Sequence, residues 1–325
     1  MIKTGIVGGT GYVAGELLRC LIHHPQVEIE FIYSHSKPGA KVADFHQDLF
    51  AHPELTFTDT VNPDADVVFL CLGHGNSKKF IENHSFSSKT RFIDLSNDFR
   101  LQADAEFLEN EFVYGLVELN KEKIKTAQHI ANPGCFATAI QLALLPLAKH
   151  NLLRQDVHVH AITGSTGAGM GLSDTSHFSW RNNNVSIYKA FSHQHLGEIT
   201  ESVTSLQSNF SQHINFLPVR GDFTRGIFAS AYTSCDLSEN ELIALYVDFY
   251  KDAVFTKISK DTINLKQVVN TNYGLLQVQK LNGKVLVTSV IDNLLKGAAG
   301  QAIQNMNLML GFEEDEGLNL KASMF

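Results

Sequence analysis

The sequence predicts an α/β protein of two domains, a Rossmann-type domain with a parallel sheet for a nucleotide and a second domain of the α+β class. Three observations lead to this prediction. A strand, a glycine-rich turn and a helix follow one another at the start of the chain. Further apolar strands alternate with helices in the first half, whereas the second half contains alternating strands and a hairpin pattern. With 325 residues and 44% hydrophobic residues, the chain can form two cores.

The first strand, Ile2 to Val7, runs directly into a glycine-rich turn, and a helix is predicted from Glu16 to His24. Gly8 permits a tight turn, Gly11 lets the backbone approach a pyrophosphate, and the helix N-terminus favours phosphate charge. A purely structural glycine turn would look similar, but its place at the start of an αβ alternation favours dinucleotide binding. The turn residues expected to bind the cofactor are Gly8, Thr10, Gly11, Tyr12 and Val13.

The second predicted strand, Val27 to Tyr33, ends where the adenosine ribose of a bound dinucleotide would lie. A site specific for NAD usually places a carboxylate there, but this chain has Ser34, Ser36 and Lys37. Hydroxyl groups and a cation suit a 2′-phosphate, so the sequence favours NADPH over NADH. An ordinary polar loop would have a similar composition.

Two further strands of the buried parallel type are predicted at Asp66 to Leu72 and Arg91 to Leu95. Loops at the carboxyl ends of parallel strands line the ligand crevice. We therefore expect Gly73, after the first of them, to contact the cofactor and Arg100, after the second, to bind a substrate phosphate. A surface arginine is the alternative interpretation of Arg100.

A single cysteine, Cys135, lies where extended chain becomes helix. Residues His129 to Asn132 read as the end of a strand, Pro133 and Gly134 as a turn, and Ala137 to Ala148 as an apolar helix. Unsatisfied N–H groups and the helix dipole favour an anion there, so the position suits a thiolate nucleophile. A buried structural cysteine would give the same local pattern.

Two histidines and a carboxylate occur within six residues: His193, His195 and Glu198. One imidazole could hold a thiol as thiolate and later protonate a departing oxygen, and Glu198 could orient that imidazole. A solvated loop with incidental histidines remains the alternative. His158 and His160 share one strand face without a matching carboxylate or thiol, so no metal site is expected.

Composition excludes several classes of partner. The net charge is −8 and the basic residues are dispersed, so no nucleic-acid surface is indicated. Four widely spaced cysteines without a CxxC pair argue against disulfides and fit a reducing cytoplasm. We find neither a secretion signal nor a stretch of 18 apolar residues, and therefore expect a cytoplasmic protein without a membrane partner.

Seven motifs in order resemble the N-acetyl-gamma-glutamyl-phosphate reductase family, which is related to aspartate-semialdehyde dehydrogenase. They are GGTGYVAGEL at Gly8, IDLSNDFRL at Ile93, YGLVELN at Tyr114, NPGCFAT at Asn132, GSTGAG at Gly164, HQHLGEI at His193 and DNLLKGAAGQA at Asp292. The resemblance runs nearly end to end. It implies NADP(H) as cofactor, a small acyl phosphate as substrate and a place in arginine biosynthesis. The broad sheet expected in the second domain suits self-association, so we expect a homodimer or homotetramer.

By this resemblance, Cys135 is the acylated nucleophile, and His193 or His195 is the acid and base, with Glu198 behind them. The resemblance places Arg100 at the phosphate. The other contacts expected on this basis are Asn132, Ser165 and Arg225 with the substrate and Asn293 with the cofactor. Residues 1–134 with 293–325 should then form the NADP-binding domain, and 135–292 the catalytic and oligomerisation domain.

Three departures from the family pattern affect the substrate side. Met170 stands where the family usually has an arginine, Gln194 and Gly197 alter the histidine motif, and the segment from Gly221 to Thr224 has the form of an insertion. N-acetylglutamyl phosphate is the expected substrate. The N-succinyl analogue is the alternative, because Arg181, Arg220 or Arg225 could bind a second carboxylate. An aspartyl phosphate dehydrogenase and a non-catalytic NADP-binding redox sensor are the other two alternatives.

Overall fold

A computed structural model describes residues 1–324 of the chain. Within them, the strands are β1 (Ile2–Val7), β2 (Val27–Tyr33), β3 (Val67–Leu70), β4 (Arg91–Asp94), β5 (Glu106–Phe107), β6 (Asn110–Tyr114), β7 (His129–Ala131), β8 (Val157–Thr163), β9 (Ser186–Ile187), β10 (Ile214–Arg220), β11 (Ile227–Ser234), β12 (Thr256–Ser259), β13 (Gly274–Leu281) and β14 (Lys284–Ile291). The helices are α1 (Tyr12–Leu21), α2 (Ser77–Asn83), α3 (Val117–Thr126), α4 (Cys135–Lys149), α5 (Phe178–Arg181), α6 (His195–Leu206), α7 (Glu239–Phe249) and α8 (Ala299–Leu310).

The chain divides into two compact units. The first comprises Met1–Pro133 and Ala298–Asn319, and the second comprises Gly134–Gly297 with the residues after Asn319. The first unit contains a seven-stranded sheet in the order β2-β1-β3-β4-β7-β6-β5. Its strands are parallel except for the β5–β6 pair. The predicted parallel α/β sheet is therefore confirmed.

The apolar strand runs of the first unit form its core, because β1 and β3 bury consecutive residues on both faces. Helix α1 begins at Tyr12 and ends at Leu21, so it starts earlier than the predicted Glu16 and stops before His24. Helix α8 packs against α1 and α3 in the same unit. The last helix therefore belongs to the first unit, although it follows the whole second unit in the chain.

The second unit contains a mixed sheet in the order β12-β13-β14-β11-β8-β10-β9. Strands β13 and β14 form the predicted hairpin, and Asn282 and Gly283 have φ values of 47° and 76° at its turn. Positive φ at both central residues matches the right-handed twist of the flanking strands, which explains the Asn-Gly pair.

Helix α4 is the central element of the second core. Residues Phe136 to Ala148 are all buried, and the helix packs against α6, α7, β11, β13 and β14. A helix that is apolar all round belongs inside a domain, as observed. It begins at Cys135 and not at Ala137, because Gly134 has the extended backbone of an N-cap residue.

The small residues of the DNLLKGAAGQA motif at Asp292 suit a helix start, but residues 293–298 form turns and helix α8 starts at Ala299, inside that motif. Helix α7 ends at Phe249, and residues Ser186–Ile187 form the short strand β9. Among residues 1–324, no helix is both long and apolar enough to cross a membrane.

Candidate active site

The glycine turn closes tightly around the end of β1. The N–H groups of Gly8 and Gly9 both donate to the carbonyl oxygen of Tyr33, at 3.1 and 3.0 Å. Gly8 has φ +83°, and a Cβ there would lie 2.6 Å from the carbonyl oxygen of Cys71. Only glycine fits this position without strain. The turn therefore brings backbone N–H groups and the N-terminus of α1, at Tyr12, to one edge of the sheet, which fits a pyrophosphate.

The loop after β2 contains the residues predicted to contact a 2′-phosphate. Ser34 is buried, whereas Ser36 and Lys37 are exposed. The Lys37 ammonium group lies 5.5 Å from the centre of the Phe45 ring. Gly73, in the loop after β3, is also exposed, and its carbonyl oxygen accepts a hydrogen bond from the Asn76 side chain. An exposed cation and hydroxyl at the end of β2 are available to a ligand.

Arg100 and Asn132 lie together in the first unit. The Arg100 Nε–H donates to the Asn132 carbonyl oxygen at 2.8 Å, and Nη2 donates to the Leu95 carbonyl oxygen at 3.1 Å. The Asn132 carboxamide donates to the Ala298 carbonyl oxygen and accepts from Asn305. These contacts fix the orientation of both side chains.

A buried carboxylate, Asp94, lies beside Arg100. Burial raises the pKa of Asp94 to about 6, although the hydroxyls of Ser77 and Ser96 donate to it at 2.6 and 2.7 Å and the Arg100 charge opposes the rise. Asp94 is the last residue of an apolar strand, so no pattern in the sequence indicated it.

In the second unit, Cys135 is the first residue of α4 and is partly buried. Gly297 lies directly against it, because a Cβ added to Gly297 would lie 2.7 Å from the Cys135 Cβ. The thiol is thus held at a helix N-terminus, where free N–H groups and the dipole stabilise negative charge. The local geometry predicted for Cys135 is confirmed.

His195 and Glu198 lie against the residue that precedes the cysteine. Nε2 of His195 is 3.9 Å from Oε1 of Glu198, and Oε2 of Glu198 accepts a hydrogen bond from the Gly134 N–H at 3.0 Å. A Cβ at Gly134 would overlap Nε2 of His195. All three residues are therefore in contact, and a residue larger than glycine would displace the imidazole.

His193 has a different environment. Its ring lies between the aromatic rings of Phe136, Phe216 and Tyr188, with centroids 5.4, 5.5 and 5.9 Å away. Nδ1 of His193 accepts a hydrogen bond from the His195 N–H at 3.2 Å. Burial, and to a smaller extent the charge of Lys189, lower the pKa of His193 to about 4. Its imidazole is therefore neutral near pH 7.

Tyr188 was not singled out in the sequence. Burial and the nearby Cys135 thiolate charge raise the pKa of its phenol to about 12, although Arg220 opposes this rise through its charge and a hydrogen bond. The Arg220 guanidinium carbon lies 4.7 Å from the centre of the Tyr188 ring. A tyrosine five residues before His193 gave no signal in the sequence, because its partner arginine comes from another strand.

The other predicted substrate and cofactor residues of this unit form local contacts. Arg225 forms a two-pronged ion pair with Asp292, which is fully buried. Ser165 begins a single turn of helix after β8. The Asn293 carboxamide accepts from the Gly226 N–H at 2.6 Å and donates to the Thr166 hydroxyl at 3.0 Å. His158 of the predicted His-x-His pair stacks on Tyr232.

Comparison with known families agrees with this arrangement. Residues 3–127 match the model of the semialdehyde dehydrogenase NAD binding domain, and residues 135–293 match that of the semialdehyde dehydrogenase dimerisation domain. Aspartate semialdehyde dehydrogenase II of Vibrio cholerae, in complex with ASA, superimposes with a TM-score of 0.70 at 15% identity. That match covers 96% of this chain and 98% of the other, and it shows the same fold.

Two curated relatives are much closer in sequence. The N-acetyl-gamma-glutamyl-phosphate reductase of Flavobacterium johnsoniae is 59% identical over 325 residues, and the one of Parabacteroides distasonis is 54% identical over 326 residues. In both cases all of this chain and all of the relative are covered. Identity at this level over the full length shows that the chain belongs to the N-acetyl-gamma-glutamyl-phosphate reductase family of semialdehyde dehydrogenases.

Proposed function

We propose that the protein reduces N-acetyl-gamma-glutamyl phosphate to N-acetylglutamate semialdehyde with release of phosphate, using NADPH, as a step of arginine biosynthesis. The observation that carries this proposal is the full-length identity of 59% to a reductase of that name. The geometry supports it, because Cys135 stands at the N-terminus of α4 and the His195–Glu198 pair contacts the adjacent Gly134.

In the proposed mechanism, the Cys135 thiolate attacks the γ-carbonyl carbon of the acyl phosphate. The carbon–sulfur bond forms as the bond to the phosphate oxygen breaks, and phosphate leaves. The resulting thioester explains the need for a thiol, because a free carboxylate resists hydride whereas a thioester carbonyl accepts it. The backbone N–H groups of Cys135 and Phe136, in the first turn of α4, are suited to stabilise the oxyanion.

We assign the acid and base role to His195. Glu198 lies beside its imidazole and is itself held by the Gly134 N–H, so the pair has a fixed orientation. His193, neutral near pH 7 and enclosed by aromatic rings, accepts the His195 backbone N–H and so positions the start of α6. In this assignment, His195 protonates the departing oxygen and His193 is a positioning residue.

The glycine turn fits a dinucleotide, because a side chain at Gly8 would collide with the backbone of Cys71. Residues Gly8, Thr10, Gly11, Tyr12 and Val13 would hold the pyrophosphate, and Gly73 of the same unit would add a further contact. When bound, NADPH supplies the hydride that reduces the thioester. The resulting tetrahedral species expels the Cys135 thiolate, and the aldehyde leaves.

The exposed cation after β2 predicts the cofactor preference. Lys37→Glu combined with Ser34→Asp should narrow or invert the preference for NADPH over NADH, because two carboxylates would repel a 2′-phosphate. The ratio of kcat/KM for the two cofactors measures this. Lys41→Glu, an exposed charge change nearby in the chain, is the control. An unchanged ratio in the double variant would place the phosphate pocket elsewhere.

The reverse reaction tests the proposed function directly. The purified protein is incubated with N-acetylglutamate semialdehyde, NADP and inorganic phosphate, and NADPH formation is followed by absorbance. Turnover that requires all three components supports the proposal. Turnover with aspartate semialdehyde in place of the N-acyl compound, or none with either, would contradict it.

We further propose a cytoplasmic homodimer or homotetramer. The second unit matches a dimerisation domain model, and closed symmetric assemblies are the usual oligomers of soluble enzymes. Light scattering at micromolar concentration should give a mass of two or four chains of 36.0 kDa. The mass of a single chain would contradict this proposal.

A further inference from the structure

Two arginines, Arg181 and Arg220, meet at the start of the segment 221–224. Nη2 of Arg181 donates to the carbonyl oxygens of Arg220 and Gly221, at 3.2 and 2.7 Å. The Asn183 N–H donates to Asp222 at 2.8 Å. These bonds tie the loop after α5 to the end of β10. These bonds therefore fix the end of β10. They also fix the direction of the Arg220 side chain, because Arg220 is the last residue of that strand.

Some N–H groups of these two guanidinium groups are buried and have no hydrogen-bond acceptor. Within the described residues, Nε of Arg220 and both Nε and Nη1 of Arg181 are shielded from solvent and have no hydrogen-bond partner. An unsatisfied buried donor costs about 1–3 kcal/mol, and more when the group is charged. Such donors indicate a ligand whose acceptor atoms would satisfy them.

The charges around these donors indicate an anion. Burial and the neighbouring Arg220 cation lower the pKa of Arg181, while Asp222 opposes this effect. Two guanidinium cations and one carboxylate give this group of three side chains a net positive charge. Because guanidinium presents paired N–H donors, a carboxylate is its best-matched ligand.

Arg220 is also near the nucleophile. Its guanidinium group lies over the Tyr188 ring and bonds to the phenol, which is close enough to Cys135 to be affected by the thiolate charge. Arg225, the other arginine considered for this role, is engaged in its ion pair with Asp292. Of the two, Arg220 has the donor available to a substrate.

We propose that Arg220, positioned by Arg181 and stacked on Tyr188, binds a carboxylate of the acyl-phosphate substrate while its γ-carbonyl lies at Cys135. This inference rests on the proposed function and deepens it. The carboxylate has two possible sources in N-acylglutamyl compounds. One is the α-carboxylate of the glutamyl part, and the other is a terminal carboxylate on an acyl group longer than acetyl, such as succinyl.

The test compares Arg220→Gln, Arg220→Lys and the control Arg154→Gln, an exposed arginine of the same unit. KM and kcat are measured in the reverse reaction with N-acetylglutamate and N-succinylglutamate semialdehydes. Arg220→Gln should raise KM about ten- to a hundredfold, the effect of losing a hydrogen-bonded charge, and change kcat less. Arg220→Lys should show a smaller rise in KM, because it keeps the positive charge. Arg154→Gln should have the KM and kcat of the wild-type protein.

The pattern across the two substrates identifies the source. An equal rise in KM for both assigns Arg220 to the α-carboxylate, whereas a rise for the succinyl compound alone assigns it to the terminal carboxylate. Unchanged KM values for both would overturn the proposal. Absence of turnover in the wild-type protein would instead count against the proposed function, so the two failures are distinguishable.

A measurement on the wild-type protein keeps the test valid if Arg220→Gln does not fold. Removal of the α-carboxylate, by using the α-carboxamide of N-acetylglutamate semialdehyde, should raise KM at least about tenfold if the α-carboxylate is bound. If the terminal carboxylate is bound, KM should be lower for the succinyl than for the acetyl compound by a similar factor. Equal KM values for all three compounds would overturn the proposal.

Discussion

Cys135→Ser is expected to lower kcat by about three to six orders of magnitude, the range seen when a catalytic nucleophile is removed. A serine hydroxyl is far less ionised than a thiol near neutral pH, so it attacks the acyl phosphate poorly. Serine is a favourable residue at the start of a helix, and the side chain is only partly buried, so the fold should be retained. Rates in the reverse reaction and the midpoint of thermal unfolding measure the two effects.

Cys235→Ser is the matched control, because Cys235 is a buried thiol of the same unit that packs in its core. This change should reduce stability and leave kcat near the wild-type value. If Cys135→Ser retained more than about a tenth of the wild-type kcat while folded, Cys135 would not be the nucleophile.

His195→Asn should have the second largest effect, a fall in kcat of about a hundred- to ten-thousandfold, the usual contribution of a general acid and base. His193→Asn should reduce kcat much less, since the His193 imidazole is positioned among aromatic rings and stays neutral. Both variants are compared by kcat and by the midpoint of thermal unfolding. A lowered midpoint would show that a loss of kcat comes from misplacement of α6.

The dependence on pH separates the two histidines further. Because the folded-state pKa of His193 is lowered to about 4, its imidazole stays neutral between about pH 6 and pH 9. A pH dependence of kcat in this range should therefore persist in His193→Asn and disappear in His195→Asn. If only His193→Asn lost the pH dependence of kcat, His193 would be the acid and base, and His195 the positioning residue.

The sequence predicted those parts of the site that depend on local chain order. The glycine turn at Gly8 and the position of Cys135 follow from rules that act over a few residues, and both are confirmed. The proximity of His195 and Glu198 is similarly local, since residues three apart share a helix face. Their contact with Gly134 joins residues more than 60 positions apart, so it required the structure.

The position of Arg220 illustrates why other parts were not predictable. Its neighbour Tyr188 is placed by the pairing of β9 with β10, in which Ser186 lies opposite Arg220. Strand β9 has two residues, too few for a hydrophobic pattern to indicate it. The partner of Arg225 was not predictable for the same reason, because Asp292 lies 67 residues away in the chain.

The predicted start of α1 and the helix expected at the Asp292 motif were wrong for a different physical reason. Helix α1 begins within the glycine turn because Gly11 already has the backbone of an N-cap residue. The Asp292 motif has small residues typical of a helix, but the Asp292 carboxylate accepts the N–H groups of Leu294 and Leu295 and holds a turn. Local side-chain bonds of this type compete with helix formation.

The most direct test of the covalent mechanism is a transient measurement without phosphate. The protein is mixed with N-acetylglutamate semialdehyde and NADP, and NADPH absorbance is followed. Oxidation of the Cys135 adduct should give a rapid burst of about one NADPH per chain and then stop at the thioester, and added phosphate should restart turnover. Peptide mapping should find the acyl group on Cys135. Absence of a burst until phosphate is present, or an acyl group on another residue, would contradict the account.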